Sequence, residues 1–386
     1  MNSGRARTTR SGEHAALLRS FWIAGFDGTD HFANSRSVDD GRAYRRRVEA
    51  DYRRVRDAGV DCVHESIGWR RAERTDGFDF AFALLRAQCA RQAGLQVIWT
   101  LCHAGWPDDV DVAAADFADR FARFACAAAR ALAPYADSEP PLYTPVNEIA
   151  FLSWAIAETS LFGPTRAAFH RRGGEIRKQL VRAALAGCDA ILEVDPRARF
   201  LHREAAIDGG VADAPFDVFD MLEGRVAPQL GGHPRYLDVV GIHWHQTDAA
   251  RPASGAPSLT KAPNVQDATI VRLLEELHAR YCVPIVVSET NRTGAGRAQW
   301  LRQFGTGIGC ALERGVPVIG AGLCRIVERP AWEDPRYWRE RRLWDVLLDP
   351  GERSPYSPDS AYESALRDVR ARIDPLVDHS HHRYTS

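Results

Sequence analysis

Short β-branched apolar runs alternate eight times with longer stretches of helical spacing, and this alternation constrains the fold of the chain more than any other feature. The strand-like runs lie at 21–28, 60–67, 96–103, 142–149, 199–205, 237–245, 284–290 and 317–324. Between and after them, helical spacing covers 43–58, 80–93, 113–133, 174–194, 216–222, 265–281, 297–314 and 360–373. Such alternation implies a parallel sheet with helical crossovers. Gly59, Gly94 and Gly315 follow helical stretches, as left-handed caps do. Eight units predict an α/β fold: a (β/α)8 TIM barrel forming a single domain over 19–375. The segments 1–18 and 376–386 are polar and are expected to be flexible. A doubly wound open sheet would compete, but it would carry a phosphate-binding glycine loop after the first strand. Gly25-Phe-Asp-Gly28 lacks the G-x-G-x-x-G spacing.

Composition removes several function classes. A net charge of −1 gives no electrostatic basis for binding nucleic acid or an anionic membrane. No apolar run is long enough to span a bilayer, and the first twenty residues lack the apolar core of a signal peptide. The eight cysteines are scattered, with no C-x-x-C pair. Most sit in apolar patterns where a reduced thiol acts as a small hydrophobe. A reduced, cytoplasmic protein is expected, and composition leaves its oligomeric state open.

Two glutamates end strand-like runs far apart in the chain: Glu148, in Thr-Pro-Val-Asn-Glu, and Glu289, in Ile-Val-Val-Ser-Glu-Thr. In a parallel barrel both carboxylates would face one pocket at the C-terminal rim. Two carboxylates across a pocket are the minimum equipment for breaking a glycosidic bond, one holding a proton and the other staying charged. The bland alternative is that each is an ion-paired structural residue.

The pairing of Asn147-Glu148 with Ser288-Glu289-Thr290 resembles the retaining glycoside hydrolases of clan A. Within that clan the chain most resembles a divergent bacterial branch of the family 1 β-glucosidases. The segments Trp99-Thr-Leu-Cys-His-Ala-Gly-Trp-Pro-Asp108, Gly296-Arg-Ala-Gln-Trp-Leu301 and Arg329-Pro-Ala-Trp-Glu-Asp334 also look like parts of it. The resemblance runs from about residue 21 to about residue 346. It implies that Glu148 is the acid/base and Glu289 the nucleophile. Asn147 would bind the sugar 2-hydroxyl, His103 another hydroxyl, and Trp332 would stack on a sugar face. The implied partner is a small glycoside, and no cofactor or metal is implied. The sequence departs from its relatives at His64, where they usually carry an arginine beside the nucleophile. It departs again at His243-Trp244-His245, where they have a tyrosine-containing stretch. Arg325 is a candidate to supply the charge missing at position 64.

Trp69, Trp106, Trp244 and Trp332 together would line an aromatic pocket, although each is equally well placed as core. His243 and His245 share a strand face, which permits a metal, yet no ligand motif of fixed spacing is present. Glu65 is expected to pair with an arginine outside the barrel. The reading is therefore a retaining β-glycoside hydrolase. Two rivals stand beside it: a glycosidase-derived biosynthetic enzyme using histidine or metal chemistry, and a sugar-binding barrel without catalysis.

Overall fold

The computed structural model describes residues 17–26, 41–103, 105–159, 170–207, 214–245, 266–288, 296–323, 329–330, 338–339 and 360–384. Eight parallel strands close into a barrel: β1 (Trp22–Gly25), β2 (Cys62–Ser66), β3 (Gln96–Cys102), β4 (Leu142–Val146), β5 (Arg199–Ile207), β6 (Val239–His245), β7 (Ile285–Ser288) and β8 (Val318–Leu323). Each strand pairs with its sequence neighbour, and β1 closes the ring against β8. The helices around it are α1 (Gly41–Asp57), α2 (Ala81–Ala93), α3 (Phe117–Leu132), α4 (Ile149–Glu158), α5 (Gly173–Val194), α6 (Ala214–Glu223), α7 (Gln266–Tyr281), α8 (Arg297–Glu313) and α9 (Ser360–Tyr384). This is the (β/α)8 barrel, in one domain, that the alternation predicts. Among the described residues, no helix is long and apolar enough to cross a membrane.

Successive strand residues face opposite sides, and the two sides carry different chemistry. Inward, Ile23, Cys62, Ile98, Leu142, Leu201, Val239 and Val286, with Leu18 beneath them, form a small apolar plug at the N-terminal end. One step further along the strands the interior turns polar, with His64, Thr100, Thr144, Arg203 and Ser288. Outward, the strands pack Val63, Leu101, Tyr143, Phe200, Val240, Ile242 and Val287 into the large core beneath the helices. Glu65 also faces out. It accepts hydrogen bonds from Tyr52 on α1 and Arg86 on α2, each at 2.7 Å, tying both helices to β2.

Three elements differ from the expected pattern. Strand β4 ends at Val146 rather than continuing to 149, and α4 begins at once. That helix buries Ile149, Ala150, Leu152, Ser153, Ala155, Ile156 and Ala157. Its outward face carries Phe151 and the half-exposed Trp154, so the helix has no polar stripe to give it a visible period. A single helical turn, Trp69–Ala72, and a small hairpin, Glu73–Arg74 with Gly77–Phe78, follow β2. Finally, α9 runs past Ile373 through Pro375 to Tyr384. Burial of Val377 holds it there, so part of the tail expected to be flexible is helical.

Candidate active site

At the end of β4 the chain makes a sharp turn that puts Asn147 and Glu148 at the barrel mouth. Asn147 N–H donates to the Cys102 carbonyl at 3.0 Å, and Glu148 N–H donates to the Arg203 carbonyl at 2.9 Å. Glu148 takes a left-handed backbone, φ 51° and ψ 56°, immediately before α4. A non-glycine residue held there costs on the order of 1–3 kcal/mol, and such strain concentrates at functional sites.

The Glu148 carboxylate is buried, and its Oε1 lies 2.7 Å from Nδ1 of His243, which is fully buried on β6. The bond crosses the mouth from β4 to β6. Asn147 is 1 % exposed, and its Nδ2 makes a loose 3.5 Å contact with Nδ1 of the buried His103. Among the described residues, Asn147 Oδ1, Ser66 Oγ, Thr144 Oγ1 and Ser288 Oγ are buried without a hydrogen-bond partner. Buried polar atoms are normally satisfied by protein or by something bound. These four belong to β2, β4, β7 and the end of β4, and strand alternation turns the three hydroxyls inward.

Deeper in, a second cluster spans β2, β3 and β5. Arg203 is 2 % exposed and donates to His64 Nδ1 at 2.9 Å and to Thr100 Oγ1 at 2.8 Å. A guanidinium only donates, so His64 Nδ1 accepts and Nε2 carries the ring proton toward Thr100 Oγ1, 2.6 Å away. Among the described residues, the buried fixed positive charge at this level of the barrel belongs to Arg203 on β5. Sequence reasoning passed Arg203 over. The available signal was Gly241, its register partner on β6. A methyl at Gly241 would run into Arg203 Cγ and lie 3.1 Å from Leu201 Cδ1, so glycine leaves the lane in which the arginine lies.

Next to Arg203, but on the outer face, Glu204 is 1 % exposed. Its carboxylate oxygens accept the amide N–H groups of Ile149 and Ala150 at 2.8 and 2.9 Å. Burial pushes its pKa up to about 8 against those two bonds, and the nearby Glu148 charge pushes the same way. Arg177 on α5 pulls in the opposite direction.

The structure brings together Glu148, Asn147, His103 and His243 at the mouth, with His64 below them. It moves two tryptophans out. Trp69 is fully buried in the turn after β2, stacked on Phe124 at 5.7 Å with Phe117 and Phe121 edge-on. Its Nε1 donates to Glu73 at 2.6 Å. Trp244 follows His243 on β6 and, by strand alternation, faces the helices, where it joins the outer core. Both are packing residues rather than pocket walls. Trp106, after β3, is 6 % exposed and meets Phe117 edge-on at 6.2 Å. The backbone of His245 ends β6. Glu289, Arg325, Trp332 and the side chain of His245 lie outside the described residues. Among the described residues, no group of three or more His, Cys, Asp or Glu is arranged to hold a metal ion.

No family model and no curated protein matches the chain. Solved structures do. A family 1 β-glucosidase from Thermotoga maritima superposes with a TM-score of 0.62 at 14 % identity, covering 90 % of this chain and 96 % of that one. A structure of β-glucosidase from the same organism in complex with castanospermine gives 0.65 at 12 % identity over 90 % and 96 %. The AHE enzyme from Alicyclobacillus herbarius gives 0.65 at 12 % over 92 % and 98 %. The chain therefore has the fold of the family 1 β-glucosidases across nearly its whole length.

Proposed function

We propose that the protein is a retaining β-glycoside hydrolase acting on a small glycoside, with Glu148 as acid/base and Glu289 as nucleophile. The observation that carries this reading is Glu148 itself. It is a buried carboxylate in a strained backbone at the C-terminal end of β4, aimed across the mouth at His243. The fold shared with β-glucosidases supports it. So do the partnerless hydroxyls and amide oxygen on the interior, since a sugar both donates and accepts hydrogen bonds.

In the first step a Glu289 oxygen attacks the anomeric carbon. The bond to the aglycone oxygen breaks, and that oxygen takes the proton from Glu148. In the second step water gives its proton to Glu148 and attacks the same carbon, releasing the sugar and the Glu289 carboxylate. In this reading the two Glu148 oxygens have different jobs. Oε1 can accept Nδ1–H whether the carboxyl is ionised or protonated, so Oε2 carries the catalytic proton. Arg203 supplies the positive charge that favours an ionised Glu289, which follows Ser288 directly in the chain. Asn147 binds the 2-hydroxyl and His103 binds another polar group of the ligand, whereas both ring nitrogens of His64 are engaged by Arg203 and Thr100, so His64 acts by holding Arg203. Trp106, Trp332, His245 and Arg325 complete the substrate site in this reading.

The test is incubation with a 2-fluoro-glycoside carrying a good leaving group, followed by peptide mass spectrometry. A covalent sugar on the peptide containing Glu289 is the expected result. Saturable sugar binding with neither adduct nor turnover would replace this reading with a binding protein.

A further inference from the structure

The amide groups that open a helix need acceptors, and the usual source is the side chain of the residue just before it. For α4 that residue is Glu148, and its side chain makes no capping bond. It reaches His243 instead. The cap comes from a different strand: Glu204 on β5 takes the Ile149 and Ala150 amides, one on each carboxylate oxygen. Its neighbour Arg203 takes the Glu148 amide through its carbonyl. Two consecutive residues of β5 thus grip three consecutive residues of the turn. With the Ile149 and Ala150 amides already occupied, the Glu148 carboxylate has lost the nearest donors it could fold back onto.

We propose that Glu204 is a positioning residue for acid catalysis: by occupying the first amides of α4 it keeps the Glu148 carboxylate off its own helix and aimed into the barrel mouth. This rests on the reading of Glu148 as the acid. Among the described residues, the charged and titratable groups acting on Glu204 are Glu148 from the end of β4 and Arg177 from α5, with His243 joined to the set through Glu148. Arg177 is itself bonded to Asp217 at 3.0 Å and to Ser153 Oγ at 3.4 Å. Glu148 and Glu204 are therefore a linked pair of carboxyls, in which ionising one makes the other harder to ionise.

Glu204→Gln is the variant of choice because it keeps the shape but turns one of the two acceptors into a donor facing an amide. Its crystal structure tests the proposal without any need for turnover. The Glu148 carboxylate is expected to leave His243 and rotate toward the amides of Ile149 and Ala150. A carboxylate that stays 2.7 Å from His243 Nδ1, as in the parent protein, would overturn the proposal. Kinetics add a readout that loss of a mere helix cap would not move. Acid assistance matters for alkyl aglycones and little for dinitrophenolate, so kcat/KM of E204Q should fall at least tenfold more for an alkyl glycoside than for the dinitrophenyl glycoside. Equal losses on both overturn the proposal while leaving the glycosidase reading intact. Absence of turnover in the parent protein removes that reading, and the crystal structure then decides the positioning claim alone. Should E204Q not fold, Glu204→Asp keeps the carboxyl group but reaches one amide only, and the same two measurements apply.

Discussion

Replacing Gly241 with alanine puts a methyl into the lane that Arg203 occupies. The added carbon would overlap Arg203 Cγ and come within 3.1 Å of both Arg203 Cβ and Leu201 Cδ1. Nothing at this depth yields easily, because Leu201 belongs to the apolar plug and Arg203 is held by His64 and Thr100. If the arginine stays, the overlap costs about 1–3 kcal/mol, as overpacking of a tight interior does. If it moves, it gives up hydrogen bonds from a charged donor, worth about 1.5–3 kcal/mol. Either route predicts a loss of about 1–3 kcal/mol. At about 2.1 cal/mol/K per residue, a chain this long moves only about 1 °C per kcal/mol, so the urea midpoint is the better assay. The decisive control is Arg203→Ala, which removes the carbon that the new methyl strikes. Most of the Gly241→Ala penalty should vanish in that background. An equal penalty in both backgrounds, or none in the parent, would refute the claim that this glycine exists to accommodate the arginine.

Glu148→Gln keeps an Oε1 that can accept from His243, so stability should hold. Turnover of an alkyl glycoside should drop by about 10²–10⁴-fold, the usual worth of a general acid, and that of a dinitrophenyl glycoside by much less; equal, small losses would remove Glu148 from the chemistry. His202, buried on the outer face of β5, has its pKa lowered to about 4 by desolvation. The unfolded chain protonates this imidazole near 6.5 while the folded chain resists, so stability falls as pH drops from about 6.5 to 4, by about 3 kcal/mol at 1.36 kcal/mol per pH unit. The raised pKa of Glu204 works the other way, since its folded form holds a proton that the unfolded chain releases, and stability falls as pH rises toward 8. The quantity to compare is therefore the urea midpoint of His202→Gln minus that of the parent at each pH; a difference that is flat between pH 4 and 6.5 would contradict the assignment.

The barrel was legible because its signal is periodic and repeated. Each strand had to bury an apolar run, each helix an apolar stripe, and eight repetitions left few architectures. Single positions were harder to read wherever two faces of one strand carry similar residues. His243 and Trp244 are adjacent on β6, and pleating alone decides that the first meets Glu148 while the second meets the helices. Trp69 resembled a pocket residue because it follows β2, yet the chain turns into a helix there and carries the ring among Phe117, Phe121 and Phe124. Arg203 and Glu204 lay in a strand already recognised as such, but their importance depends on which residues stand across the barrel or behind the next strand. That is three-dimensional information that a one-dimensional pattern does not hold. Gly241 could have pointed to it, since a glycine inside a strand often marks the close approach of something large.

Among the described residues, the buried cation of the same cluster comes from β5. The sequence resemblance assigns an arginine to position 64, and this chain has histidine there. Arg203 NH1 nevertheless ends 2.9 Å from the His64 ring. The guanidinium of Arg203 therefore occupies space that a longer side chain at position 64 would itself fill. Two arginines cannot share that space, because like charges in a buried site repel strongly and a guanidinium cannot accept a hydrogen bond. His64→Arg alone should accordingly unfold or inactivate the protein. Arg203→Ala alone should lower kcat by weakening the charge that favours an ionised Glu289. The double variant returns one cation to the cluster from the opposite wall and should recover at least tenfold over the worse single variant, a coupling of about 1.4 kcal/mol. Additive losses would mean that Arg203 and position 64 do separate jobs. Recovery would mean that what the site requires is one buried guanidinium at this depth, and that the strand supplying it is free to change.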